Sequence, residues 1–195
     1  MSTTQETRVE TKEAIFAGGC FWCMESAFRL MPGVVEAISG FTGGHVEDPT
    51  YQQVVTGTTG HYEAVLVRYD PQQVTYEQLL NQFWRSVNPT DAGGQFYDRG
   101  SQYSTAIFNL DEEQRELAEA SKRALDESDV FDKPIVTLIL PAQTFYRAEE
   151  YHQDYAQKRL AQYKAYTTAS GREAYLEQTW EENQDASESS STENP

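Results

Sequence analysis

The chain has 195 residues, 38% of them hydrophobic and 12% aromatic, enough for one well-packed domain. Its formal net charge is −16, and since residues 181–195 hold five acids and no base, the rest still carries −11, which argues against a nucleic-acid partner. No apolar run approaches the roughly 20 residues that cross a bilayer, and the polar start MSTTQETRVETKEA lacks the build of a secretory signal. A soluble, cytoplasmic monomer is expected.

Residues 1–12 and 181–195 are poor in apolar side chains and read as disordered ends, the second of them acidic, around a single domain at 13–180. EAIFAGG (13–19) is a short apolar run stopped by glycines, a strand. A helix follows from about Cys20, with Met24, Ala27, Phe28 and Met31 on one face, and ends at Pro32 and Gly33. VVEAISGFTGG and HYEAVLVRYD read as strands on either side of a glycine- and threonine-rich loop. TYEQLLNQFWRSV opens with a capping box, Thr75 to Gln78, and lines Leu79, Leu80, Phe83, Trp84 and Val87 along one stripe.

A second glycine-rich loop, NPTDAGGQFYDRGSQY, leads to a strand near 104–109. The helix after it is capped by Asp111 and Gln114 and is expected to bury Leu117, Ala120, Ala124 and Leu125. KPIVTLIL (133–140) has the composition of a buried strand, and AEEYHQDYAQKRLAQY reads as a polar, aromatic-studded helix. This order predicts an α+β single domain with a ferredoxin-like split βαβ core and long glycine-rich loops over the strand–helix junction.

Both cysteines stand at that junction, in GGCFWCMESAF. Two cysteines do not make a secreted disulfide framework, and a bridge across two residues gains little loop entropy. A thiol attacks only as thiolate, and a helix N-terminus favours the anion, so Cys20 is placed to be a nucleophile. The two glycines would let backbone amides approach its sulfur. Cys23, one turn on, lies within disulfide reach. A buried inert pair, half of a zinc site completed from His45, His61 and His152, and a general thiol–disulfide oxidoreductase are the alternatives. The histidines lack the tight spacing of structural zinc sites, and the spacers Phe21 and Trp22 build an apolar wall suited to a small apolar group.

GGCFWCMESAF, GFTGGHVEDPTYQQV, TGHYEAVLVRYDP, FYDRGSQYSTAIF and FYRAEEYHQDY, in this order from about Ala14 to Tyr155, resemble the successive motifs of the peptide methionine sulfoxide reductase A family. The resemblance implies reduction of the S epimer of methionine sulfoxide, protein-bound or free. It makes Cys20 the nucleophile, Phe21 and Trp22 the pocket for the substrate methyl, and Glu63 the acid that protonates the sulfoxide oxygen. Tyr51, Asp98 and Tyr103 become the polar groups that orient this oxygen and the water around it. Chemistry agrees: a sulfoxide oxygen leaves only when protonated, and burial keeps a carboxyl neutral. The implied cycle passes through a Cys20 sulfenic acid and a Cys20–Cys23 disulfide recycled by thioredoxin, and needs no metal, flavin or nucleotide. Many family members carry glycine where Cys23 stands and resolve through C-terminal cysteines; this chain has no cysteine after Cys23.

Overall fold

The computed structural model describes residues 10–190. In chain order the elements are β1 (Lys12–Gly18), α1 (Phe21–Arg29), β2 (Val34–Thr42), α2 (Tyr51–Val54), β3 (Tyr62–Tyr69), α3 (Tyr76–Trp84), β4 (Gly94–Gln95), β5 (Asp98–Arg99) and β6 (Thr105–Asn109). They continue with α4 (Glu112–Asp126), β7 (Leu138–Pro141), β8 (Tyr146–Arg147), α5 (Tyr155–Lys158), α6 (Leu160–Ser170) and α7 (Arg172–Ser190).

The main sheet has the order β7-β6-β1-β3-β2-β8. Its four central strands are mutually antiparallel neighbours, with α1 linking β1 to β2 and α3 lying between β3 and β6. This is the expected ferredoxin-like split βαβ core. It is widened by β7, parallel to β6, and by β8, which pairs with Gly40 and Phe41 of β2. Both faces of the sheet are covered, which is why β1 and β3 read as nearly continuous apolar runs. Ala14, Phe16, Val65, Val67 and Tyr69 face α1 and α3; Ile15, Ala17, Ala64, Leu66 and Phe108 form a second core that Leu140, Ala142 and Phe145 cover. On the helical side Phe16 stacks between Phe28 and Phe83, at 4.8 and 5.4 Å between ring centroids.

The predicted cap of α3 forms, with Thr75 accepting from the Gln78 amide and Gln78 returning to the Thr75 amide. The same device caps α2 through Thr50 and Gln53, inside a stretch the sequence presents as loop. In α4 the inward stripe runs through Gln114, Leu117, Ala118 and Leu125, and Ala120 and Ala124 are exposed. The helix lies against one layer only, so the buried stripe is narrower than its alanines suggest.

Two elements differ from their sequence pattern. Residues 133–137 are not strand: the Ile135 amide donates to Asp126 and the Val136 amide to the Pro89 carbonyl, and pairing with β6 begins at Leu138. Past Ala148 the chain is not one helix. Gln153 brackets Ser39 from both sides, accepting from its amide at 3.0 Å and donating to its carbonyl at 2.8 Å. Asp154 has φ 55° and gives its amide to buried Glu25. These anchors to β2 and α1 break the helical run, which resumes as α5 and, after a second break at Arg159, as α6. Of the ends expected to be disordered, residues 1–9 and 191–195 lie outside the described residues, and the segment from 181 begins as a continuation of α7.

Candidate active site

β1 ends at Gly18 and the chain turns through Gly19, whose φ of +80° belongs to the left-handed region. A β-carbon on Gly19 would stand 2.5 Å from Cβ of Gln95, and one on Gly18 would stand 2.5 Å from Sδ of Met24. The glycine pair thus serves a turn and close packing. Cys20 is the N-cap of α1, and its carbonyl accepts the amides of Cys23 at 3.1 Å and Met24 at 3.3 Å. Both cysteines are buried and free.

Glu63 approaches from β3, on the helix-facing side, with Phe41 opposite it in the neighbouring strand. It is 2% exposed, and its Oε2 accepts the Phe21 amide at 3.1 Å. Burial raises the carboxyl to about 8; the charges of Asp98 and Cys23 push the same way and the Phe21 amide pulls against them. Glu63 is therefore mainly a neutral acid at pH 7.

The same burial corrects the expectation for Cys20. Desolvation, its hydrogen bond to Cys23 and the nearby Glu63 and Asp98 hold its thiol well above the usual thiol range. Of the first amides of α1, that of Phe21 is taken by Glu63 and those of Cys23 and Met24 by the Cys20 carbonyl. Cys23 moves the other way: the Cys20 thiol hydrogen-bonds to it, and Arg172 and the Tyr163 hydroxyl favour its anion.

Cys20, Phe21, Trp22, Tyr51, Glu63, Asp98, Tyr103 and Tyr166 line one cavity of about 30 Å³. Since one water needs roughly 10–15 Å³, this suits a sulfinyl oxygen and a methyl but no bulky group. Trp22 is held as one wall, stacked on Tyr155 at 3.8 Å and 8° and donating its indole N–H to Nδ1 of His152 at 3.1 Å. Phe21 packs on Phe41 and Tyr51. Tyr51 starts α2 and gives its amide to Glu149 at 3.0 Å. Asp98 stands on the β4–β5 hairpin, whose buried Gln95 bonds both the amide and the carbonyl of Asn88. Burial raises its carboxyl, and Tyr166 donates a hydrogen bond to its Oδ2. Burial likewise keeps the phenols of Tyr51 and Tyr103 protonated far above neutrality.

The cavity thus gathers seven of the eight residues expected from sequence; Cys23 sits one turn along α1. It adds Tyr166, whose role the sequence pattern alone does not reveal. The signal was an aromatic pair three apart, Tyr163 and Tyr166, on a helix of otherwise polar and small residues. Two of the three histidines have structural partners: His61 accepts the Gly44 amide and bonds the Val46 carbonyl, and His152 supports Trp22. Among the described residues no group of three or more His, Cys, Asp or Glu could hold a metal ion.

The model of the peptide methionine sulfoxide reductase family matches residues 12–184. The chain belongs to that family. The reductase is 54% identical over 172 residues to the peptide methionine sulfoxide reductase MsrA of Bacillus subtilis, covering 88% of this chain and 97% of that one. Among solved structures, Mxr1 from Saccharomyces cerevisiae in reduced form is 28% identical, with a TM-score of 0.73 over 82% of this chain and 92% of that one. Methionine sulfoxide reductase A of Corynebacterium diphtheriae is 34% identical, with a TM-score of 0.68 over 79% and 77%. The protein is an enzyme of the A-type class, and the general thiol–disulfide oxidoreductase is not the reading these relatives favour.

Proposed function

We propose that the reductase acts on the S epimer of methionine sulfoxide, free or in proteins, through a Cys20 sulfenic acid and a Cys20–Cys23 disulfide returned to thiols by thioredoxin. The observation that carries the reading is the shared cavity of Cys20 and Glu63, a thiol and a neutral carboxylic acid facing the same small volume. The substrate methyl lies against Phe21 and Trp22, and the sulfoxide oxygen meets Glu63 with Tyr51 and Tyr103 as further donors. Asp98, held by Tyr166, orients the water and the oxygen.

As the Cys20 sulfur attacks the sulfoxide sulfur, Glu63 gives its proton to the oxygen. An S–S bond forms and the protonated S–O bond breaks, releasing water. Water then adds to the Cys20 sulfur as the S–S bond breaks toward the substrate, which leaves as methionine with the two electrons while Cys20 becomes the sulfenic acid. The Cys20 proton passes along its hydrogen bond to Cys23 and back to the site. Cys23 then displaces the oxygen as water, closing the disulfide, and a dithiol reductant reopens it. A cytoplasmic monomer without a resident cofactor is the setting proposed for this cycle.

The test is turnover of each sulfoxide epimer of a blocked methionine by wild type beside Cys20→Ser. Activity confined to the S epimer and abolished in the variant is expected. Full activity in Cys20→Ser, or activity on disulfides without activity on sulfoxide, would overturn the reading.

A further inference from the structure

We propose that Arg172 is the positioning residue of the resolving step: from the first turn of α7 its guanidinium holds Cys23 as the thiolate that attacks oxidised Cys20. The inference rests on the reading of Cys20 and Cys23 given above and adds the group that makes the second thiol reactive.

Arg172 is 4% exposed. It follows Gly171, whose φ of +74° ends α6 and turns the chain back toward the sheet. Nη1 donates to the Ser86 carbonyl at 2.6 Å and Nη2 to the carbonyl of Gly18 at 3.0 Å, two residues before Cys20. The Phe96 ring covers the guanidinium at 4.7 Å. Nε is buried without a hydrogen-bond partner, and among the described residues Arg172 forms no ion pair with a carboxylate.

Burying a guanidinium away from a counter-ion is expensive, and two carbonyls ease the desolvation without cancelling the charge. That charge is left to act on the anions of the chamber. It favours ionised Cys23 and ionised Asp98 alike. The other groups acting around Cys23 are the Cys20 thiol, the Tyr163 hydroxyl and the acidic or phenolic Asp98, Glu63 and Tyr166. Arg172 is the cation in that set.

The chemistry needs it. After methionine leaves, the Cys23 sulfur attacks the sulfur of Cys20–SOH; an S–S bond forms from the Cys23 electron pair, the S–O bond breaks, and hydroxide leaves and is protonated to water. No outside oxidant enters, because Cys20 already holds the two-electron oxidation. The step runs through the thiolate fraction of Cys23, beside a cavity whose ionisable groups are all acids.

The experiment is single turnover with an S-configured sulfoxide across pH 5–10, following methionine release and loss of the second thiol separately in wild type, Arg172→Gln and Arg172→Lys. In the Gln variant disulfide formation at pH 7 should slow about tenfold or more relative to methionine release. Its pH midpoint should rise by roughly one unit, and Lys should recover part of both. A second measurement needs no Arg172 variant: in the reduced wild type, Cys23 alkylation by iodoacetamide, resolved from that of Cys20 by peptide mass, should have its pH midpoint below the ordinary thiol value of about 8.5. An unchanged disulfide rate and midpoint in Arg172→Gln, or a Cys23 midpoint at or above the ordinary value, would overturn the assignment to Arg172 alone. Methionine release by wild type with no loss of a second thiol would overturn the resolving role of Cys23, and this proposal with it.

Discussion

Oε2 of Glu63 lies 3.1 Å from the amide nitrogen of Phe21, so the carboxyl on β3 is hydrogen-bonded to the residue that follows Cys20. The separation of the Glu63 carboxyl from the Cys20 sulfur is therefore set by a contact between a strand side chain and the backbone of a helix start, both deep in the core. A carboxyl so placed is kept neutral by burial and still has a fixed direction.

Glu63→Gln keeps an acceptor for the Phe21 amide and removes the proton. The expected loss in kcat/KM is about 10²–10⁴-fold. Because the wild-type carboxyl titrates at about 8, wild-type activity should fall as pH rises through that value, and the residual activity of the variant should lack that fall. Initial rates from pH 6 to 9.5 check both.

The same residue should cost stability. A carboxyl raised from its unfolded value of about 4.3 to about 8 stabilises the fold fully at low pH and loses this contribution as pH rises between the two values. Urea unfolding should show wild type weakening from pH 5 to 8 and Glu63→Gln changing less, so that at pH 8 the inactive variant is the more stable. A variant that is less stable throughout would contradict this.

Tyr166→Phe removes the donor to Asp98 and leaves the ring against Trp22. A hydrogen bond to a charged group is worth about 1.5–3 kcal/mol, so kcat/KM should fall roughly ten- to a hundredfold. Losing that donor also raises Asp98 further, since the bond favours its anion. The acid limb of the pH profile should move upward accordingly.

Trp22→Ala takes away the wall that Tyr155 and His152 brace. Apolar contact with one methyl is worth only ~1–3 kcal/mol, so the expected signature is a KM about ten- to a hundredfold higher with a smaller change in kcat. Trp22→Phe should restore part of it. Steady-state kinetics on a blocked methionine sulfoxide decides.

Gly19→Ala forces a side chain into φ +80° and against Gln95. The strain is about 1–3 kcal/mol. Because Gln95 holds Asn88 at both ends of the loop that carries Asp98, activity should drop with stability, measured by urea midpoint and turnover together.

Much of this was readable from local pattern. The glycine-flanked cysteine pair, the apolar strand that carries Glu63 and the cap of α3 depend on neighbours a few residues away, and short-range sterics and hydrogen bonds settle them. KPIVTLIL and AEEYHQDYAQKRLAQY misled because their backbone groups find distant partners: Val136 bonds Pro89, and Asp154 bonds Glu25. The bland alanines of α4 likewise give no sign of which face meets the sheet.

The sequence by itself brought forward the candidate set, Cys20, Phe21, Trp22, Tyr51, Glu63, Asp98 and Tyr103, through motifs that resemble those of one family in order. The tertiary structure decided their ionisation and their supports. Burial raises Cys20 and Glu63, and Tyr163, Tyr166 and Arg172, which act on Cys23 and Asp98, arrive from 68 residues away or more. Desolvation and Coulomb attraction act through space, and proximity in space is what a linear order of residues does not record.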